Sequence, residues 1–143
     1  MLAQGKAMDI SDLDGRVEFM QHDFFKPQPV SGVGGYLIRQ VFHNWNDEDC
    51  VKILQALVPA LEKSPNALVF INDTVMPEPG AVTRYEEHAL RQMDIMMLVA
   101  LGAKQRTEAE FRSILKQADP RFKVRVDLSG SWNLRHPLTM NQL

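Results

Sequence analysis

The stretch "YLIRQVFHNWNDEDC", Tyr36–Cys50, decides how this chain is read. It begins as a β-prone, mostly apolar run, Tyr36–Phe42, of the kind expected for a strand covered on both faces. Asn46 then reads as a helix N-cap, with Asp47, Glu48 and Asp49 where the positive end of a helix dipole favours acids. Cys50, Ile53, Leu54, Leu57, Val58 and Leu61 continue at helical spacing, so Cys50 belongs to a buried stripe and is given no chemistry. Pro59 is expected to bend or shorten that helix. His43 is left at the junction between strand and helix, and its presence there needs a reason.

Outward from this junction the pattern repeats. Upstream, "RVEFMQHDFF", Arg16–Phe25, alternates and ends at Pro27 and Pro29, which predicts a strand leaving a sheet. Downstream, "ALVFIND", Ala67–Asp73, predicts a buried strand with an acid at its C-terminal end. Val82–Leu101 predicts a long helix whose second half, "MDIMMLVAL", is apolar on nearly all sides and must be buried or face a ligand. Thr107 and Glu110 form a capping box for a shorter helix ending near Pro120, and Phe122–Leu128 alternates as a strand. Strands separated by helices predict an α/β layered domain with a largely parallel sheet.

At 143 residues, 45% hydrophobic and 24% charged, the chain suits one globular domain with a real core. A net charge of -2, with both signs interspersed, argues against nucleic acid or an anionic membrane as partner and leaves a small molecule. The single cysteine precludes an internal disulfide, and the start "MLAQGKAMDIS" lacks a secretory apolar run, which makes the cytosol the default compartment. The longest apolar run, "IMMLVALGA", falls short of the roughly 20 residues of a membrane span.

Ligands of parallel sheets bind beyond the carboxyl ends of the strands. His22 with Asp23, His43 and Asp73 stand at or just past three such ends and are expected to share one rim. A neutral imidazole there can act as general base, with an acid on the neighbouring strand holding its second nitrogen; His43 and Asp73 suit those roles. The plain alternative is a histidine that ends a strand and bonds a carbonyl. A metal site from His22, Asp23 and His43 lacks a compact ligand motif, so no metal is expected. The glycines of "SGVGG", Ser31–Gly35, precede a strand, whereas a phosphate cradle follows one. No Ser or Cys occupies a nucleophile elbow.

Taken in order, "HDFF", "PQPV", "FHNWNDEDCVKIL", "LVFINDTVMPEPG", "MDIMMLVALGAKQRTEAEF" and "ADPRFKV" resemble the C-terminal part of plant- and fungal-type S-adenosylmethionine-dependent O-methyltransferases. The resemblance covers about Val17–Val124 and is closest to fungal secondary-metabolism members. It implies a partial Rossmann-like methyltransferase fold, the second half of a doubly wound, mostly parallel sheet with flanking helices. It also implies S-adenosyl-L-methionine as cofactor and a phenolic or polyketide-like small molecule as methyl acceptor. His43 stands at the family's base and Asp73 at its first supporting acid, while Gln105 replaces the Glu that many relatives use as second support. Asp23 and Phe24 match the pair at the cofactor's adenosine, Arg39 the basic residue near the cofactor, and Met93, Met96 and Met97 the helix lining the acceptor pocket.

The family's Gly-rich cofactor turn and the acid after its second strand are not found in these 143 residues. Residues 1–128 are therefore expected to form the C-terminal portion of a catalytic domain, and 129–143 a divergent, poorly ordered tail. A half sheet leaves a face and an edge open, which predicts association, a homodimer being one form of it. The second functional reading is a catalytically inactive module that binds a small molecule or another protein.

Overall fold

The computed structural model describes residues 15–126 and 136–141. Strand β1 (Gly35–Arg39) leads through a single turn of 3-10 helix (Phe42–Asn44) into helix α1 (Asp47–Glu62). Strand β2 (Leu68–Asp73) follows, then helices α2 (Arg84–Leu101) and α3 (Glu108–Ala118), and strands β3 (Lys123–Val126) and β4 (His136–Asn141). The strands form one sheet in the order β1-β2-β4-β3. β1 and β2 are parallel, and β4 runs antiparallel to both β2 and β3, so β1, β2 and β3 share one direction and β4 reverses it.

The helix starts form where the sequence places acceptor side chains. Asn46 accepts from the Asp49 amide at 2.9 Å, and Thr107 and Glu110 close a reciprocal capping box. Thr83 and Glu86 close a second box at the start of α2. Gly102 ends α2 in the left-handed region at φ 64°, a conformation glycine adopts without a Cβ clash. Pro59 lies inside α1 without shortening it, since the helix continues to Glu62. At Gly35 a Cβ would stand 3.0 Å from the Leu68 carbonyl oxygen and 3.2 Å from the Phe70 ring, which is why the first residue of β1 has no side chain.

The core lies between β2 and the helices α1 and α3. Val69 and Ile71 of β2 meet Cys50, Ile53, Leu54, Leu57 and Leu61 of α1 and Phe111, Ile114 and Leu115 of α3, with Phe42 beside them. Alternation along β2 carries Asp73 onto the same buried face as Val69 and Ile71. Burial pushes the Cys50 thiol up to about 12, so at neutral pH it stays protonated and packs as a small apolar group.

Three expectations are corrected. Arg16–Phe25 forms no strand: a strand is held by a neighbour's ladder, and no described strand forms a ladder with this segment. β1 is not covered on both faces. Among the described residues it is an edge strand, whose Tyr36 and Ile38 pack on the core while Leu37 is 67% exposed. The second half of α2 was expected to be buried or to face a ligand, and of its residues Met97 alone is buried. Finally, 136–141 of the supposed loose tail form β4 inside the sheet. Pro137 escapes the usual objection to proline in a strand because β3 pairs only with the residues from Leu138 onward, leaving Pro137 bonded on one side. Residues 1–14, 127–135 and 142–143, including the boundary expected at 128, lie outside the described residues. Among those described, no helix is long and apolar enough to cross a membrane.

Candidate active site

Parallel pairing of β1 with β2 brings their carboxyl ends to one rim, with Arg39 opposite Asn72. The chain leaves β1 through Gln40, a non-glycine residue in the left-handed region at φ 52°, whose amide donates to the Asn72 carbonyl at 2.9 Å. That reversal sends the following 3-10 turn over the end of β2, and His43 arrives above Asp73. Its Nδ1 stands 2.6 Å from Asp73 Oδ1 and its main-chain amide donates to Oδ2 at 3.3 Å. The Thr74 amide also donates to Oδ1, at 3.1 Å.

Asp73 is buried to 3% exposure while the His43 side chain keeps 18% of its surface. A buried carboxylate that accepts these three contacts is satisfied, and it fixes the ring it holds. Because a carboxylate only accepts, Nδ1 carries the hydrogen, and in the neutral ring this leaves the lone pair on Nε2. The arrangement can take up a proton at Nε2 and stabilise the resulting cation.

The other expected residues are placed less uniformly. Gln105 is buried and its main-chain N–H donates to Asp94 Oδ1 at 2.8 Å, while its side-chain Oε1 is buried without a hydrogen-bond partner among the described residues. It makes no bond to His43. Phe24 and Arg39 line one opening of about 640 Å³ together with His22, Tyr36 and Ile38. Asp23 does not line it; its Oδ1 accepts the Phe25 amide at 3.1 Å and its carbonyl accepts the Lys26 amide, so it shapes the turn that presents Phe24. Phe24 and Phe25 both stand edge-on to Trp45, with ring centroids 5.7 and 4.9 Å away. A second opening of about 640 Å³ is lined by Phe24, Asn44, Trp45 and Leu101 among others. Neither opening is lined by His43 itself, but the second adjoins it through Asn44 and Trp45. Of the three methionines, Met97 is buried while Met93 and Met96 are exposed on α2. Among the described residues no group of three or more His, Cys, Asp or Glu could hold a metal ion.

Sequence reasoning missed Arg106. Its guanidinium is fully buried and donates to the carbonyls of Phe42 and Trp45, each at 2.7 Å, and from Nε to Asp47 Oδ1 at 2.8 Å. Lying just before an N-cap threonine, it reads as an ordinary loop cation, and no spacing marks it as buried.

Residues 3–120 match the O-methyltransferase domain family. The O-methyltransferase sol2 of Alternaria solani is 55% identical over 136 residues, which cover 94% of this chain and 32% of that protein. The O-methyltransferase pyvH of Aspergillus violaceofuscus is 46% identical over 111 residues, 78% of this chain and 25% of its own length. The chain thus spans between a quarter and a third of these two relatives. Among solved structures, LepI in complex with SAM is 26% identical and superimposes with a TM-score of 0.80, over 99% of this chain and 33% of that one. Sequence match, fold and the order of the motifs agree: the chain belongs to the O-methyltransferase domain family, of which it carries a partial α/β domain.

Proposed function

We propose that this chain provides the acceptor side of an S-adenosylmethionine-dependent O-methyltransferase, with His43 as the base that deprotonates a hydroxyl of a phenolic or polyketide-like molecule. The observation that carries this reading is the 2.6 Å contact between His43 Nδ1 and the buried Asp73 carboxylate. It leaves Nε2 free to receive a proton at the sheet's open rim.

The residues fit the cofactor at its purine end. Phe24 offers an aromatic wall braced by Trp45, and Arg39 lines the same opening. Asp23 supports them by holding the Phe24 turn. When bound, S-adenosylmethionine supplies an electrophilic methyl group on a cationic sulfur. His43 does the remaining work. Moving a proton from a phenol of pKa near 10 to an imidazole near 6.5 costs about 5 kcal/mol in water, at 1.36 kcal/mol per unit. Asp73 offsets part of this by stabilising the imidazolium and by holding the ring in one tautomer. Met93, Met96 and Leu101 of α2 present an apolar surface suited to a flat acceptor. Gln105 lacks a bond to His43, so of these two expected supports Asp73 is the one that holds the ring.

The test is methyl transfer to a panel of phenols, scored together with binding of S-adenosylhomocysteine by calorimetry. His43→Ala is expected to lower turnover by about 100-fold to 10,000-fold, the range for loss of a general base, with the calorimetric affinity unchanged. Undiminished turnover in His43→Ala would remove His43 from the chemistry. A folded wild-type chain that binds no S-adenosylhomocysteine would favour the second reading, a non-catalytic module, to which the edge of β1 that no described strand covers and the exposed apolar side of α2 also lend support.

A further inference from the structure

Among the described residues Arg106 is the largest side chain buried below 2% exposure, and it is a cation. Burying a guanidinium is costly unless its donors are matched, so its partners show what it is for. Nη1 donates to the Phe42 carbonyl and Nη2 to the Trp45 carbonyl, each at 2.7 Å. Those oxygens flank His43, one just before it and one two residues after. Nε donates to Asp47 Oδ1 at 2.8 Å, where α1 begins, and Nη1 also reaches the Lys104 carbonyl at 3.4 Å. On the main chain, the Arg106 carbonyl accepts the Met76 amide at 2.7 Å, and Arg106 forms a parallel bridge with Val75. Val75 and Met76 lie just past Asp73. One residue therefore ties the turn that carries His43 to the chain that carries Asp73.

We infer that Arg106 is the positioning residue that keeps His43 in register with Asp73. The inference rests on the reading of His43 as the base. A planar fork with two parallel donors spans the two carbonyls of the turn, which an ammonium, a point donor on a flexible stem, cannot do. The Cys50 thiol points at the same two oxygens from 3.5 and 3.6 Å, and so weak a donor cannot replace the fork. Asp73 grips both the ring and the amide of His43, so a small rotation of the turn breaks both bonds together.

The readout is the tautomer of His43 by long-range nitrogen-proton correlation NMR on the labelled chain, with His88 on α2 as internal control. In the wild type His43 should show a protonated Nδ1 whose hydrogen exchanges slowly. Arg106→Gln is expected to mix the tautomers and speed that exchange at least tenfold while leaving His88 unchanged. Arg106→Lys is expected to restore the wild-type signature only in part. A folded Arg106→Gln chain that keeps the wild-type signature overturns the inference. Should both variants fail to fold, the wild type decides alone: the guanidinium protons of Arg106 and the Nδ1 proton of His43 must exchange together, within about threefold. A His43 proton that exchanges freely while Arg106 stays protected overturns it. None of this depends on turnover, so a His43→Ala chain with full activity would refute the base and leave the positioning role of Arg106 to be judged separately.

Discussion

Two ends of the molecule, close in space, are built on opposite terms. At the rim above β2, Asp73 holds His43, while Arg106 holds the Phe42 and Trp45 carbonyls on either side of it and Asp47 beyond; Asp73 and Arg106 are buried. A few residues away, the second half of α2 presents Ile95, Met96, Leu98, Val99 and Leu101 to solvent with only Met97 tucked in. The first region is fixed by directional bonds that tolerate little displacement. The second is held by its own backbone ladder, its two caps and a light contact with the His43 turn. Precision of placement therefore belongs to the rim, and apolar surface in search of a cover belongs to the helix.

The largest expected effect sharpens the contrast at the core beneath the rim. Leu54 is fully buried among α1, β2 and α3, so Leu54→Ala should cost about 2–5 kcal/mol, combining lost transfer energy with a cavity. Urea denaturation followed by circular dichroism measures it. A loss below about 1 kcal/mol would mean that the core between β2 and the helices is loosely packed.

A smaller effect is expected at the start of α3. Thr107→Ala removes one half of the reciprocal box with Glu110 and should cost about 1 kcal/mol, the usual value of an N-cap. Because Arg106 directly precedes that cap, the same variant tests whether the box also steadies the rim. If it does, the His43 Nδ1 proton will exchange faster in Thr107→Ala.

Acid should weaken the rim before the core. For Asp47, burial works to raise its pKa, and the bond and charge of Arg106, then those of Lys104, outweigh it and leave the carboxyl below its ordinary 3.8. For Glu110, burial again acts upward, and Lys104 with Thr107 prevails, leaving it below its ordinary 4.5. A carboxylate whose pKa is lowered by folding stabilises the fold fully above its unfolded value and loses that contribution as pH falls through the folded one. The urea midpoint should therefore fall as pH drops through about 4, and Asp47→Asn should flatten the fall. Both acids are partly exposed, so the change is modest and smaller still in salt.

How much of this was legible in the sequence follows from how local each signal is. The caps at Asn46 and Thr107, the buried stripe around Cys50 and the acid ending β2 are set by neighbours within four residues, and the structure shows all of them. Partner-dependent features were not legible. Arg16–Phe25 alternates like a strand, yet a strand exists only with a ladder; "HPLTMN" lacks alternation, yet it enters the sheet between two strands that accept it. At the site the same division holds. His43 and Asp73 could be paired from their positions at two strand ends. Arg106 could not, because its carbonyl partners lie 61 and 64 residues away in the chain. Nothing in "AKQRTEAEF" distinguishes a buried guanidinium from a solvated one.

The smallest expected effect returns to the helix. Val99 is 81% exposed, so Val99→Ser should change stability by less than about 0.5 kcal/mol, a surface value. Yet if the apolar side of α2 is covered by a second copy of the chain or by a ligand, the same change removes a covered methyl pair and adds a hydroxyl with no partner, which costs far more in the covered state. Comparing wild type and Val99→Ser by sedimentation and by urea denaturation separates the two situations. A variant that shifts the association equilibrium but not the unfolding of the monomer assigns this surface to contacts outside the chain. A variant that alters neither leaves the exposed residues of α2 as plain helix surface, and the contrast with the rim is then one of order alone.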